Sequence, residues 1–330
     1  MSRITQESWF STTPWIDKVE GDVTEAAQGL GLSLTAEETN WLERWRTDGF
    51  LVIENAADDA DIEAYLEDLR WAVANREKLE FNVEVASQQV PIARTSEAQL
   101  LAAGTKFQHF HTYSKAAIAL SLSARIQRAL ELVFGEPAAV LQSLTFWRGT
   151  QQPAHIDYPY VNIQTQIAQL AAAWIALEDV RPGSGALFYY PGSHRTEASG
   201  FFDWGGGSIL YQRDSTREPH EFARYLERRM GEAGIEPVEF HPKRGTALIW
   251  HANLVHGGLP ITDHEATRKS FVTHYTSASA FPRWYAPTRL IRGVTAYDAR
   301  PGYAFDQPSE VNRQKFPSWS NRDYIARFVR

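Results

Sequence analysis

Between residues 138 and 275 the chain is a succession of short apolar runs separated by glycine and proline, and this pattern limits the possible folds more than any other feature. The segments 140–147, 171–177, 186–190, 245–250 and 268–275 each have the length and the β-branched and aromatic content of a strand. Runs this short are too brief for core helices, so a sheet-built core is expected. One helical pattern interrupts them, at about 218–230. Upstream the periodicity is helical. Thr35-x-x-Glu38 is a capping box followed by Trp41, Leu42 and Trp45, and Gly49 ends that helix before a short strand, Phe50–Ile53. A second helix is expected over about 58–76, with Ile62, Tyr65, Leu66, Leu69 and Val73 on one face. A third is expected over 114–134, stopped by Gly135. The first 30 residues show little periodicity, and 80–113 are mixed. The expected layout is one domain over 1–330. It has a mostly helical part at 1–135, a β core at 138–278 with a lid-like insert at about 193–240, and an irregular tail at 279–330.

Composition narrows the chemistry. There is no cysteine among the 330 residues, which removes disulfides, thiolate zinc sites, iron–sulfur clusters and cysteine nucleophiles together. Any metal must be held by His, Asp or Glu, a donor set suited to ions such as Fe(II) or Mn(II). The net charge of −7 argues against a nucleic-acid partner and gives no reason to expect an anionic membrane. No apolar run approaches the ~20 residues needed to span a bilayer. The first residues lack the layout of a secretory signal, so a cytoplasmic location is the expectation. A small molecule is the expected partner; the oligomeric state is not specified.

His155-Ile156-Asp157 places two ligand-type side chains two positions apart. On an extended segment alternate side chains share a face, so both can reach one ion. Composition alone would supply about half an H-x-D tripeptide in a chain of this length, so the surroundings carry the weight. A third ligand would complete three sites on one side of an octahedron and leave three open, the arrangement of two histidines and one carboxylate. His256 follows a strand-like run and precedes Gly257 and Gly258, which would let the backbone turn close to an ion. Twelve residues later comes Arg268, then Ser270. A guanidinium pairs with a carboxylate through two parallel charge-assisted hydrogen bonds. An Arg entering a β core needs such a partner, and a surface Arg on an edge strand is the alternative.

Taken together, 153–158 (PAHIDY), 174–180 (WIALEDV), 185–187 (GAL), 191–195 (PGSHR), 243–247 (KRGTA) and His256-Gly257-Gly258 followed by Arg268 resemble the phytanoyl-CoA dioxygenase family of Fe(II)- and 2-oxoglutarate-dependent oxygenases. The resemblance covers about 130 residues in the family's order. It implies a double-stranded β-helix, a cupin-like jelly-roll barrel with helices packed outside. It implies His155, Asp157 and His256 as iron ligands, and Arg268 as the partner of the distal carboxylate of 2-oxoglutarate, helped by Ser270. Gln142 falls where the family often has a polar co-substrate contact. Thr145 lies on the opposite face unless a bulge intervenes. Trp174 would line the interior or serve as plain core.

The implied reaction consumes 2-oxoglutarate and O2, releases succinate and CO2, and hydroxylates an unactivated C–H bond. The carboxylate of Asp157 argues against halogenation, which needs that coordination site for halide. Desaturation, epoxidation or cyclisation stays open. Tyr158, Trp174 and Arg195 are the candidate substrate contacts, with Arg213 and Arg217 also near the insert and residues 281–285 (FPRWY) as a possible pocket closure. His251 is a second candidate metal ligand. His109 and His111 read as surface or satisfied core, with a pocket role as the alternative, and His194 as structural. Two other classes compete: a non-oxidative Zn or Mn barrel enzyme, and a metal-free binding protein.

Overall fold

The computed structural model describes residues 6–161, 163, 166–281, 290–292, 303–305 and 316–327. The described residues form thirteen strands: β1 (Phe50–Ile53), β2 (Asn82–Val85), β3 (Gln88–Pro91), β4 (Phe107–Gln108), β5 (Ala138–Phe146), β6 (Leu170–Ala176), β7 (Leu187–Tyr189), β8 (Val238–Phe240), β9 (Ala247–His251), β10 (His256–Gly258), β11 (Ser270–Ser277), β12 (Leu290–Arg292) and β13 (Tyr303–Phe305). The major sheet runs β1-β9-β6-β11-β5-β13-β12, with β4 paired to β5, and the minor sheet runs β10-β7-β8.

Strand alternation divides the major sheet into two faces. Its outer face carries Leu51, Ile53, Ala173, Ile175, Ala247, Ile249, Phe271 and Tyr275 and packs under the N-terminal helices. Its inner face carries Phe50, Phe146, Ala172, Trp174, Leu248, Trp250 and Val272, which meet Leu187, Tyr189 and Phe240 of the minor sheet. With both faces covered, every residue of β6 and β11 is buried. This is the jelly-roll arrangement expected of a cupin-like fold, except that the two sheets face each other as an open sandwich and do not close into a barrel.

A bulge in β5 sets which residues face inward. The register pairs His274 with Gln142 and Tyr275 with Val140, skipping Leu141. Val140 therefore packs outward, while Gln142, Leu144 and Phe146 share the inner face. Thr145 points outward and hydrogen-bonds the Tyr65 hydroxyl.

The helices adjust the sequence expectations in three places. Ala36–Asp48 begins with the Thr35/Glu38 capping box as read, and Asp59–Ala74 follows. The expected single helix over 114–134 is two, Lys115–Ser121 and Ala124–Phe134. The break at Leu122–Ser123 lets the Ser123 hydroxyl bond the Ala56 carbonyl and the Gln127 amide bond Ser121 O at 2.9 Å. The arm before residue 30 is also ordered, with helices Gln6–Ser11 and Val23–Gly29. Trp9 and Ile16 are buried there. The described parts of the tail are not irregular: β13 joins β5 in parallel, and Pro317–Ser320 docks on the helical layer. The Ser318 N–H donates to Asp68 Oδ1 at 2.9 Å, and the Tyr324 hydroxyl to Asp61 at 3.0 Å. Among the described residues no helix is long and apolar enough to cross a membrane.

Candidate metal centre

His155 and His256 are brought together by their own backbones. The N–H of each donates to the carbonyl of the other at 2.9 Å, which sets their ring centres 4.3 Å apart. Asp157, two residues beyond His155, is anchored by its N–H to Ala252 O at 3.0 Å. One ligand atom from each of His155, Asp157 and His256 then lies within 4.8 Å of the others. Both imidazoles are oriented the same way. His155 Nδ1 donates to Pro153 O and His256 Nδ1 to Leu254 O, each at 2.9 Å. Each Nε2 lone pair is thus left to face the shared centre, and a backbone carbonyl fixes the tautomer as ligating histidines require.

The charges suit a cation. Burial, with His256 adding to it, pushes the His155 imidazole down to about 3, so the ring is neutral at physiological pH. Burial works to raise the Asp157 carboxyl, but His256, His274 and His155 outweigh it and hold it well below the usual carboxylate range. Two imidazole nitrogens and one carboxylate fit a divalent ion of intermediate hardness.

The three residues open onto a cavity of about 70 Å³ whose wall also includes Phe146, Trp174, Leu187, Trp250, Arg268 and His274. Arg268 precedes β11 rather than lying on it, and shares the inward parity of Ser270, Val272 and His274. It is 2% exposed, and its Nε has no hydrogen-bond partner among the described residues. Burial lowers its pKa to about 10, with no acidic group acting in the other direction. The Ser270 hydroxyl is likewise buried and unpartnered. A buried guanidinium of this kind suits an anionic ligand.

Other expected residues fall elsewhere. Gln142 faces inward but bonds His274 Nδ1 at 3.1 Å and does not line the cavity. Tyr158 packs against Trp9, ring centres 5.6 Å apart, outside the cavity wall. Arg195 and His251 line a separate cleft of about 850 Å³ with Trp9 and Asp17. His251 is on the outer face of β9 and reaches Asp17 Oδ2 at 3.1 Å, so it takes no part in the cluster of three. His111 is held by the Ser143 hydroxyl, and His109 by Ser143 O through its N–H. Arg217 pairs with Glu221 at 2.9 Å. The His194 carbonyl accepts from Asn253 Nδ2 at 2.6 Å, tying the 191–195 turn to the loop before His256. Of 281–285, residues 282–285 lie outside the described residues.

Gly257 and Gly258 serve a different purpose from the one expected. Neither has a positive φ. A Cβ on Gly257 would sit 2.8 Å from Gln152 O, and one on Gly258 2.8 Å from Thr150 Oγ1. They are small so that the segment leading to His155 can pack against the strand bearing His256. Two inward residues escaped the sequence reading: Trp250, whose Nε1–H donates to Asp157 Oδ2 at 2.7 Å, and His274, 3.4 Å from the same oxygen. Both follow from alternation, Trp250 from Leu248 and His274 from Arg268.

The family model for phytanoyl-CoA dioxygenase matches residues 45–270. The chain belongs to the phytanoyl-CoA dioxygenase family. It is therefore a dioxygenase of the 2-oxoglutarate-dependent class. The phytanoyl-CoA dioxygenase domain-containing protein 1 homolog of Caenorhabditis elegans is 19% identical over 269 residues, covering 70% of this chain and 88% of that protein. Among solved structures, EctD from S. alaskensis with 2-oxoglutarate and 5-hydroxyectoine superposes with a TM-score of 0.52 at 18% identity, over 75% of this chain and 77% of that one. The epimerase SnoN in complex with Fe3+, alpha ketoglutarate and nogalamycin RO gives 0.51 at 20% identity, over 74% and 84%. At these identities the likeness establishes that the dioxygenase shares their fold.

Proposed function

We propose that this dioxygenase binds Fe(II) through His155, Asp157 and His256, seats 2-oxoglutarate with its distal carboxylate on Arg268, and hydroxylates an unactivated C–H bond of a small molecule. The observation that carries this reading is Arg268. A buried guanidinium without an acidic partner among the described residues shares one cavity with the metal-type cluster, and a dicarboxylate would join the two. Solved relatives of the same fold carry iron-site and 2-oxoglutarate ligands in their own structures, which supports the same occupants here.

Bound iron with 2-oxoglutarate and O2 supplies the oxidising power, with succinate and CO2 as by-products. The chain's own residues do the rest. His155 and His256 would present their Nε2 atoms and Asp157 its Oδ1. Arg268 would orient the co-substrate by two parallel hydrogen bonds, and the Ser270 hydroxyl lies on the same face to take a further one. Trp174, Leu187, Phe146 and Val272 form an apolar wall that excludes water. The retained carboxylate at 157 favours hydroxylation over halogen transfer, since no ligand position is vacated for halide.

The test is anaerobic addition of Fe(II) and 2-oxoglutarate, followed by succinate release in air. Wild type should develop a weak visible charge-transfer band, and His155→Ala should not. Succinate formation by Arg268→Ala at the wild-type 2-oxoglutarate requirement would sink the co-substrate assignment.

A further inference from the structure

The carboxylate of Asp157 is received by a single row of side chains across the major sheet. The register pairs Trp250 with Ala172, Ala172 with His274, and His274 with Gln142. All four lie on the inner face. Strands are about 4.8 Å apart, so Trp250 and His274 stand roughly 10 Å from each other with only the Ala172 methyl between them. Asp157 comes into that gap from the facing side. Its Oδ2 accepts from Trp250 Nε1 at 2.7 Å and lies 3.4 Å from His274 Nε2. Gln142 Nε2–H donates to His274 Nδ1 at 3.1 Å, so a neutral His274 ring keeps its proton on Nε2, facing Asp157. Oδ1 is the oxygen turned to the histidines, 3.7 Å from His256 Nε2 and 4.0 Å from His155 Nε2.

We propose that Trp250 and His274 are positioning residues that hold Asp157 to coordination through one oxygen, with Gln142 fixing the His274 tautomer. This rests on the ligand set proposed above. The Trp250 N–H on Oδ2 occupies a lone pair that a chelating carboxylate would give to the metal, and His274 Nε2, buried and without a hydrogen-bond partner among the described residues, lies 3.4 Å from the same oxygen. Restricting Asp157 to Oδ1 keeps a coordination position open for co-substrate or oxygen. Ala172 is small because the carboxylate needs the space above it. Gln142 thereby acts on the proposed metal site indirectly, through His274 and then Asp157.

The experiment is titration of the metal-free protein with Co(II) in air, without 2-oxoglutarate, read by visible absorption. His274→Leu should bind Co(II) about 10- to 100-fold more weakly, with an altered band intensity as the second carboxylate oxygen enters the coordination sphere. His274→Gln, whose amide N–H reaches toward the same place as Nε2–H, should stay within about three-fold of wild type. Thr273→Ala, which loses an outer-face bond to Ser121, should lower Tm yet keep wild-type Co(II) affinity, separating fold stability from positioning. Wild-type affinity in His274→Leu, or equal weakness in His274→Gln and His274→Leu, overturns the proposal. Wild-type affinity in His155→Ala would instead overturn the ligand set itself.

Discussion

The Arg268 guanidinium lies 5.5 Å from the centre of the Trp174 ring. Trp174 stands opposite Val272 on β11, two positions inward from Ser270, so the Arg268 side chain runs back along the strand toward the metal cluster. The ring covers one face of the cation and leaves its hydrogen-bonding edge for an anion. Arg268→Lys should raise KM for 2-oxoglutarate about 10- to 100-fold, the value of exchanging a two-point charged contact for a one-point one. The co-substrate should also raise Tm of the wild type, because a ligand that binds only the folded state stabilises it. Equal thermal shifts in wild type and Arg268→Ala would contradict that assignment.

Gly257→Ala tests the packing that joins the two histidines. The added methyl would lie 2.6 Å from the Phe188 ring and 2.8 Å from Gln152 O. The ring can rotate; the backbone carbonyl cannot move without shifting the segment that leads to His155. A loss of about 1–3 kcal/mol in unfolding free energy is expected, typical of forced overpacking, together with weaker Co(II) binding. Lower stability at unchanged metal affinity would show that the strand and the ligand segment are independent.

Most of the inner face was readable because alternation and spacing are local. The H-x-D pair needs only an extended segment, whereas Arg268 and Ser270 rest on their spacing from His256 and on the family resemblance. The Thr35 capping box and the stop at Gly135 are also local chemistry, and both stand in the structure. What sequence could not supply was register. Trp250, Ala172, His274 and Gln142 come from four strands, and only the cross-strand register, unbroken from Ser270–Phe146 to His274–Gln142, sets them in one row. Tyr158 is a candidate substrate contact in the sequence, yet its ring packs on Trp9 and lies outside the cavity wall. The break at Leu122–Ser123 was hidden because both flanking helices bury apolar residues, so the pattern looks continuous.

Arg195 illustrates the same limit and gives a negative test. It sits on the turn after Pro191 and lines the cleft with His251 and Asp17, on the outer face of β9. Arg195→Ala is expected to leave succinate formation and the KM for 2-oxoglutarate within about two-fold of wild type, as surface changes away from a site do. A ten-fold loss in kcat/KM would place the substrate against the 191–195 turn.

Two buried groups should tilt stability against pH in opposite senses. Burial, reinforced by nearby His251, holds the His194 imidazole down at about 3. A base depressed in the fold contributes stability that is full above pH 6.5 and is lost as pH falls toward 3, because the unfolded chain takes up the proton first. Burial raises the Asp68 carboxyl to about 6, against the opposing bonds from Ser114 and Ser318. An acid raised in the fold contributes stability below about pH 4 that is lost as pH rises through 6. The His194 displacement is the larger, so the metal-free protein should lose urea resistance on going from pH 7 to pH 5. His155 shifts the same way, which makes the variant comparison necessary. His194→Gln should be less stable at pH 8 and should lose less between pH 7 and pH 5, whereas Asp68→Asn, which removes the opposing group, should lose more. Parallel urea midpoints for all three proteins across that range would contradict both assignments.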